Sequence, residues 1–241
     1  MRDPVDLAEL WVYLSGEPLL WLTVTVLAYA AADLLSARSG RHPLTNPVVT
    51  AVAIIAIVLL ATGTPYRTYF EGAQFVHFLL GPATVALAVP LVRNFGAVAR
   101  LAIPMGLALL AGSVTAIVSA VAVAALLGAP ASILSSLAPK SVTTAIAMAI
   151  SRQLGGEPSL TAVLVIATGV LGAMIVTPLF DALRIRSREA RGFAAGVAAH
   201  GIGTARAFQV SERAGLFAGL AMALNALVTA LLAPILITVL R

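Results

Sequence analysis

Between Leu101 and Pro139 the chain runs for 39 residues without an Asp, Glu, Lys or Arg, and nearly uncharged stretches of membrane-spanning length recur along the whole sequence. A soluble protein can hide one such helix in its core. It cannot hide six, because with 60% apolar residues, 10% charged residues and a mean hydropathy of +1.02 too little polar surface remains to cover a water-soluble globule. The expected fold is therefore an all-α polytopic membrane protein with lipid as its main solvent.

Charge gaps delimit six full spans: Pro18 to Ser36, Leu44 to Thr62, Gly72 to Val92, Leu101 to Leu127, Pro158 to Phe180 and Ala214 to Leu240. Two shorter segments, Ser135 to Ser151 and Gly192 to Phe208, are richer in Gly, Ser and Thr and are interrupted by Lys140, His200 and Arg206. They read as broken or re-entrant helices. Residues 1–17 carry acidic groups and no basic stretch followed by a small-residue cleavage site, so an interfacial segment is expected rather than a signal peptide. Trp11, Tyr13 and Trp21 would sit there at headgroup level. Residues 18–241 form one membrane domain with expected halves 18–130 and 131–241.

The chain has no cysteine, which excludes disulfides, thiolate metal sites and a cysteine nucleophile. Three histidines without carboxylates at ligand spacing argue against a metal centre. The net charge of +5 comes largely from arginines in short loops without interleaved aromatics, so it reports topology rather than nucleic-acid binding. Those loops, Arg38 to Arg41, Arg93 to Arg100 and Arg184 to Arg191, should all face the cytoplasm. If every segment crossed, the last would fall outside. A re-entrant Ser135 to Ser151, entering and leaving on the outer side, returns it to the cytoplasm.

Weak matches suggest a two-fold repeat of inverted direction, as in many transporters. "TVTVLAYAA" from Thr23 pairs with "SVTTAIAMA" from Ser141, "PLT" at Pro43 with "PSLT" at Pro158, "VHFLLGPAT" around His77 with "AHGIGTA" around His200, and "GLALLAGSVTA" from Gly106 with "GLAMALNALVTA" from Gly219.

A broken helix exposes backbone groups that lipid cannot satisfy, so they must line a cavity or bind something. Pro139 stops a helix arriving from Ala131, and Lys140, Ser141, Thr143 and Thr144 would occupy the first turn of the next one, where open N–H groups and the positive dipole end favour an anion. The second break adds His200, Gly201, Gly203, a capping Thr204 and Arg206. Plainer roles compete. Lys140 could snorkel to headgroups, His200 could be a packed core histidine, and Arg206 could hold a lipid phosphate or pair with Glu212. Pro82 and Pro90 predict a kink in "LLGPATVALAVP", making Pro82 and Thr84 further candidates.

The stretches "LLGPATVALAVPLVR", "LAPKSVTTAIA", "GGEPSLTA" and "HGIGTARA" with "GLAMAL" resemble the signatures of the LrgB/CidB family over almost the whole chain. The resemblance implies a bacterial inner-membrane protein, related to plant plastid glycolate/glycerate transporters and paired in many members with a small LrgA/CidA-type partner. It departs at Ala145, where proline is expected, at Thr177, where glycine is expected, and at Asn225, where a small residue is expected. Taken with the anion site, it implies a secondary carrier of small monocarboxylates such as glycolate, glycerate, lactate or pyruvate, working by alternating access as a homodimer without a cofactor, with proton coupling through His200. The alternative is a holin/antiholin-like regulator of cell lysis and murein hydrolase activity. An intramembrane hydrolase built on Ser141 with Lys140 or His200 has neither a GxSxG nor an HExxH motif behind it.

Overall fold

Every regular element in the described part of this computed structural model, residues 16–42, 45–79, 82, 85–86, 92 and 95–240, is a helix. The elements are α1 (Pro18–Arg38), α2 (Pro47–Thr62), α3 (Tyr66–Phe78), α4 (Phe95–Arg100), α5 (Ala102–Leu126), α6 (Ala131–Leu137), α7 (Thr144–Gln153), α8 (Pro158–Ala182), α9 (Arg188–Val210) and α10 (Glu212–Leu240). Four of them, α1, α5, α8 and α10, are long and apolar enough to cross a membrane, and α2 is a shorter apolar helix of 16 residues. The protein is a multi-pass membrane protein. Of the expected span Gly72 to Val92, α3 covers the beginning; most of the remainder, like Trp11 and Tyr13, lies outside the described residues.

The chain divides into two compact units, residues 1–86 and 87–241. In the first, α1 packs on α2 and α3. Proline at the first positions of α1 and α2 suits a helix start, and the Asn46 side chain caps α2 by accepting from the N–H groups of Val48 and Val49. Trp21 is fully buried, with its ring edge-on to Tyr69 at 5.9 Å, and a Cβ on Gly72 would collide with it. Trp21 is therefore packed between helices, and the missing Cβ of Gly72 lets α3 approach the Pro18 carbonyl and the Trp21 Cβ. Asp33 pairs with Arg41 at 2.9 Å.

The second unit is built around two helical hairpins. α6 and α7 lie side by side: the Ser135 hydroxyl donates to the Leu154 carbonyl, and Ser136 Oγ accepts from the Glu157 N–H. Ten residues of α7 rise about 15 Å, half the thickness of a bilayer core. α8 then runs back along α7, with Thr161 against Ser151 and Val165 against Ala147 and Val142.

The second hairpin is α9 itself. Its backbone leaves helical geometry at Ala199 (φ −128°, ψ 19°) and His200 (φ 40°, ψ −131°). The first half runs parallel to α10, Gly192 meeting Ala214 and Gly196 meeting Ala218 so closely that a Cβ would strike backbone. The second half runs antiparallel, with Phe208 against Gly215 and Thr204 against Met222. Direction therefore reverses at His200. Because α9 doubles back instead of crossing, α10 runs in the same direction as α5: Met105 shares a cluster with Leu216, Ser113 bonds Asn225, and Ile117 and Val121 pack with Ala233 and Ile237. The Gly106 and Gly219 stretches matched in the sequence thus lie on parallel, continuous helices. Thr23 likewise sits inside the unbroken α1, unlike its sequence match Ser141.

Candidate functional site

Both hairpin tips arrive at the same level of α8 and α10. Val142, beside the first tip, packs on Val165. His200, at the second, donates from Nε2 to the Val165 carbonyl at 3.0 Å, a contact that Gly169 permits because any Cβ there would clash with the imidazole. Asn225, near the middle of α10, joins the tips directly. Its amide donates to the Ser141 carbonyl at 3.2 Å and to the Val197 carbonyl at 3.0 Å, while its oxygen accepts from Ser113 at 2.6 Å and Thr229 at 3.3 Å.

The electrostatic consequence follows from helix polarity. α7 and the second half of α9 both begin at the tips and aim their positive ends there, whereas α6 and the first half of α9 bring carbonyl ends. Asn225 covers the Ser141 and Val197 carbonyls, which tilts the balance toward donors. Thr143, the N-cap of α7, makes no side-chain capping bond, so the first-turn amides are not taken up by their own cap.

The first tip gathers four predicted residues with one shift in register. α7 starts at Thr144, so Lys140 and Ser141 lie in the preceding turn instead of the first helical turn, since Pro139 is followed by four non-helical residues before the backbone becomes helical. Lys140 is half-buried and its Nζ donates to the Ser141 hydroxyl at 3.3 Å; Ser141 is buried, Thr143 and Thr144 half-buried. At the second tip His200 is buried and Gly201 half-buried. Thr204 does not cap: its hydroxyl donates to the His200 carbonyl at 2.8 Å, because the helix already starts at Gly201. Gly203 lets the two halves of α9 meet, as a Cβ there would press on the Ala195 carbonyl. Arg206 is buried at the other end of the hairpin, donating to Gln209 at 3.3 Å. Pro82 is exposed within the first unit, and Thr84 lies outside the described residues.

A cavity of about 910 Å³ leads toward the second tip. It begins among Arg100, Ser187, Glu189 and Arg213, at the end where Arg184 to Arg191 lie, and extends between α5 and α9 to Gly112, Val197 and Ala198, one residue short of the break. At its mouth Glu189 pairs with Arg213. The Glu189 carboxyl is held below the usual carboxylate range by its own backbone N–H, the Ser187 hydroxyl and Arg213, against a smaller opposing effect of desolvation. Among the described residues no group of three or more His, Cys, Asp or Glu could hold a metal ion.

Comparison with known proteins places this architecture. The model of the LrgB-like family matches residues 25–239. The chain belongs to the LrgB-like family. This LrgB-like protein is 37% identical to YwbG of Bacillus subtilis over 217 residues, covering 90% of this chain and 96% of that one. It is 34% identical to YxaC of the same organism over 217 residues, 90% and 94% of the two chains. It is 29% identical over 221 residues to a protein of Staphylococcus epidermidis named holin-like protein CidB, 92% and 96% of the two. No solved structure matches.

Asn225 and Gly169 are the residues that the sequence reading missed. A lone Asn in an otherwise uncharged span is itself the signal, since a buried amide in lipid needs partners on neighbouring helices.

Proposed function

We propose that this LrgB-like protein is a secondary carrier for small monocarboxylates, in which the two hairpin tips form the anion site. One observation carries the reading: two broken helices of opposite entry direction meet at the middle of α10, their positive ends directed to the tips that carry Lys140, Ser141 and His200, and a 910 Å³ cavity reaches to within one residue of the second break. The α6–α7–α8 and α9–α10 units are read as an inverted pair within the second unit, a shorter repeat than the halves 18–130 and 131–241. The arginine-rich end faces the cytoplasm by the positive-inside rule, so the cavity is the inward-facing path. Lys140 supplies the charge for the carboxylate, the amides of α7 and the hydroxyls of Ser141, Thr143 and Thr144 complete its hydrogen bonds, and His200 carries the coupled proton. Movement of the hairpins against the remaining helices gives alternating access, and a homodimer is the working unit.

A second reading has its own support. The name holin-like protein CidB, carried by relatives of nearly full coverage, favours a role in controlling cell lysis at least as well, with or without a small membrane partner. Proteoliposomes containing only the purified chain separate the two. The carrier reading expects saturable uptake of labelled glycolate, lactate or pyruvate, competed by the unlabelled acid, and a loss of about ten- to a hundredfold in affinity in Lys140→Ala, the worth of one charge-assisted hydrogen bond. Leakage of solutes irrespective of size, with no saturable carboxylate uptake, would overturn it in favour of the holin-like role.

A further inference from the structure

A second cavity, of about 210 Å³, lies at the arginine-rich end and is absorbed by neither reading above. Arg186, Arg188, Arg191 and Arg206 all line it, and no carboxylate does. Asp181 pairs with Arg191, and Glu189 faces Arg213 at the mouth of the larger cavity. Four guanidinium-bearing residues around a small volume, with no carboxylate in the lining, make this a basic cavity.

The arrangement depends on the reversal at His200. In a straight helix Arg191 and Arg206 would be about 22 Å apart along the axis; the fold-back brings both to one cavity. Arg206 is 7% exposed. Arg191 donates to Asp181 and to the Thr177 carbonyl and lies over the Phe180 ring, yet its Nε is buried and has no hydrogen-bond partner among the described residues. A buried guanidinium N–H without a partner, on a residue that lines the cavity together with three other arginines, calls for a multivalent oxygen acceptor. Apart from Thr177 the rest of the lining is apolar, with Val176, Phe180 and Val210 on the faces of α8 and α9 and Val210 exposed. That combination suits a charged head with a greasy neighbour.

We propose that this cavity binds a phosphate group, as carried by an anionic phospholipid headgroup or by free phosphate. The planar forks of the arginines match phosphate oxygens in a way that a single ammonium does not. An occupant ties the re-entrant half of α9, through Arg206, to the loop before it and to α8. The site is independent of what the hairpin tips transport.

The test uses the full chain purified in a neutral detergent at low salt, because phosphate contacts are screened. Native mass spectrometry and thermal unfolding are followed while phosphatidylglycerol, phosphatidylcholine or inorganic phosphate is added. The key variant is Arg186→Gln with Arg188→Gln, two exposed positions whose replacement leaves the fold intact. Arg38→Gln with Arg67→Gln, also exposed, removes the same charge far along the sequence as a control. The expected result is binding of phosphatidylglycerol well above phosphatidylcholine, weakened about tenfold or more by the first pair and not by the second. Phosphatidylglycerol alone showing this pattern identifies a lipid headgroup; inorganic phosphate showing it too identifies free phosphate. If neither ligand is weakened more by Arg186→Gln with Arg188→Gln than by the control pair, the proposal is wrong.

Discussion

Replacing Asn225 should loosen both hairpins at once. The side chain makes four hydrogen bonds, two of them to the carbonyls of the facing tips, and Asn225→Ala removes them all. At the average of about 0.6 kcal/mol measured for such bonds inside membrane proteins the loss is about 2.4 kcal/mol. Counted instead as two buried carbonyls left without donors, at about 1 to 3 kcal/mol each, it is about 2 to 6 kcal/mol. Either way the opened state gains at least about 30-fold in population. Val142 beside the first tip is 1% exposed, and the chain has no cysteine, so the thiol introduced by Val142→Cys reports opening alone. Its labelling by a small maleimide should accelerate at least about 30-fold in the Asn225→Ala background. Asn225→Asp should be faster still, because a carboxylate then points at two carbonyl oxygens. Labelling of the Ala variant within about threefold of the parent, the effect of a single average bond, or an Asp variant slower than the Ala one, would refute the idea that Asn225 holds the tips together.

Three further outcomes follow from the packing and charge. Gly196→Ala should cost on the order of 1 to 3 kcal/mol in thermal unfolding, since the new Cβ meets the Ala218 backbone, while Gly201→Ala, whose nearest neighbour is the Met222 sulfur at 3.8 Å, should be tolerated. Single thiols from Ser187→Cys and Glu157→Cys should react with a membrane-impermeant reagent from opposite faces, the first from the cytoplasm; reaction of both from one face removes the re-entrant topology. The Glu189 carboxyl has a depressed pKa, so its stabilising effect is full above the unfolded value near 4.3 and is lost as pH falls through the folded one; the stability gap between wild type and Glu189→Gln, measured from about pH 6 to about pH 3, should be small and should vanish on acidification.

The two breaks were legible because each advertises itself: Lys140 and His200 interrupt Gly-, Ser- and Thr-rich segments too short to cross. What α9 does after its break was not legible. Glycines 201 and 203 invite the turn on conformational grounds, yet the left-handed φ falls on His200, held there by the Val165 carbonyl while Gly203 serves close packing. Local preference lost to a tertiary hydrogen bond, and of the two expected forms, broken or re-entrant, α9 takes the one that doubles back. The long spans α5, α8 and α10 were clear from hydrophobicity alone, as lipid imposes length and little else. Arg206 was grouped with His200 through nearness in sequence; a hairpin carries them to opposite ends within six residues. Asn225 was noted only as a departure from a family pattern, although its polarity in an apolar span already implied partners.

The position of Asn225 in the chain has a bearing on how the protein is made. A ribosome delivers both tips well before it delivers the side chain that satisfies their carbonyls, and neither hairpin is long enough to settle in a bilayer by itself. Until the last helix has been translated and inserted, the nascent chain carries two short polar loops with no lasting place in lipid. Final assembly of this half should therefore be completed only after α10 has inserted, and a chain terminated before residue 225 should be degraded by membrane proteases faster than the full chain.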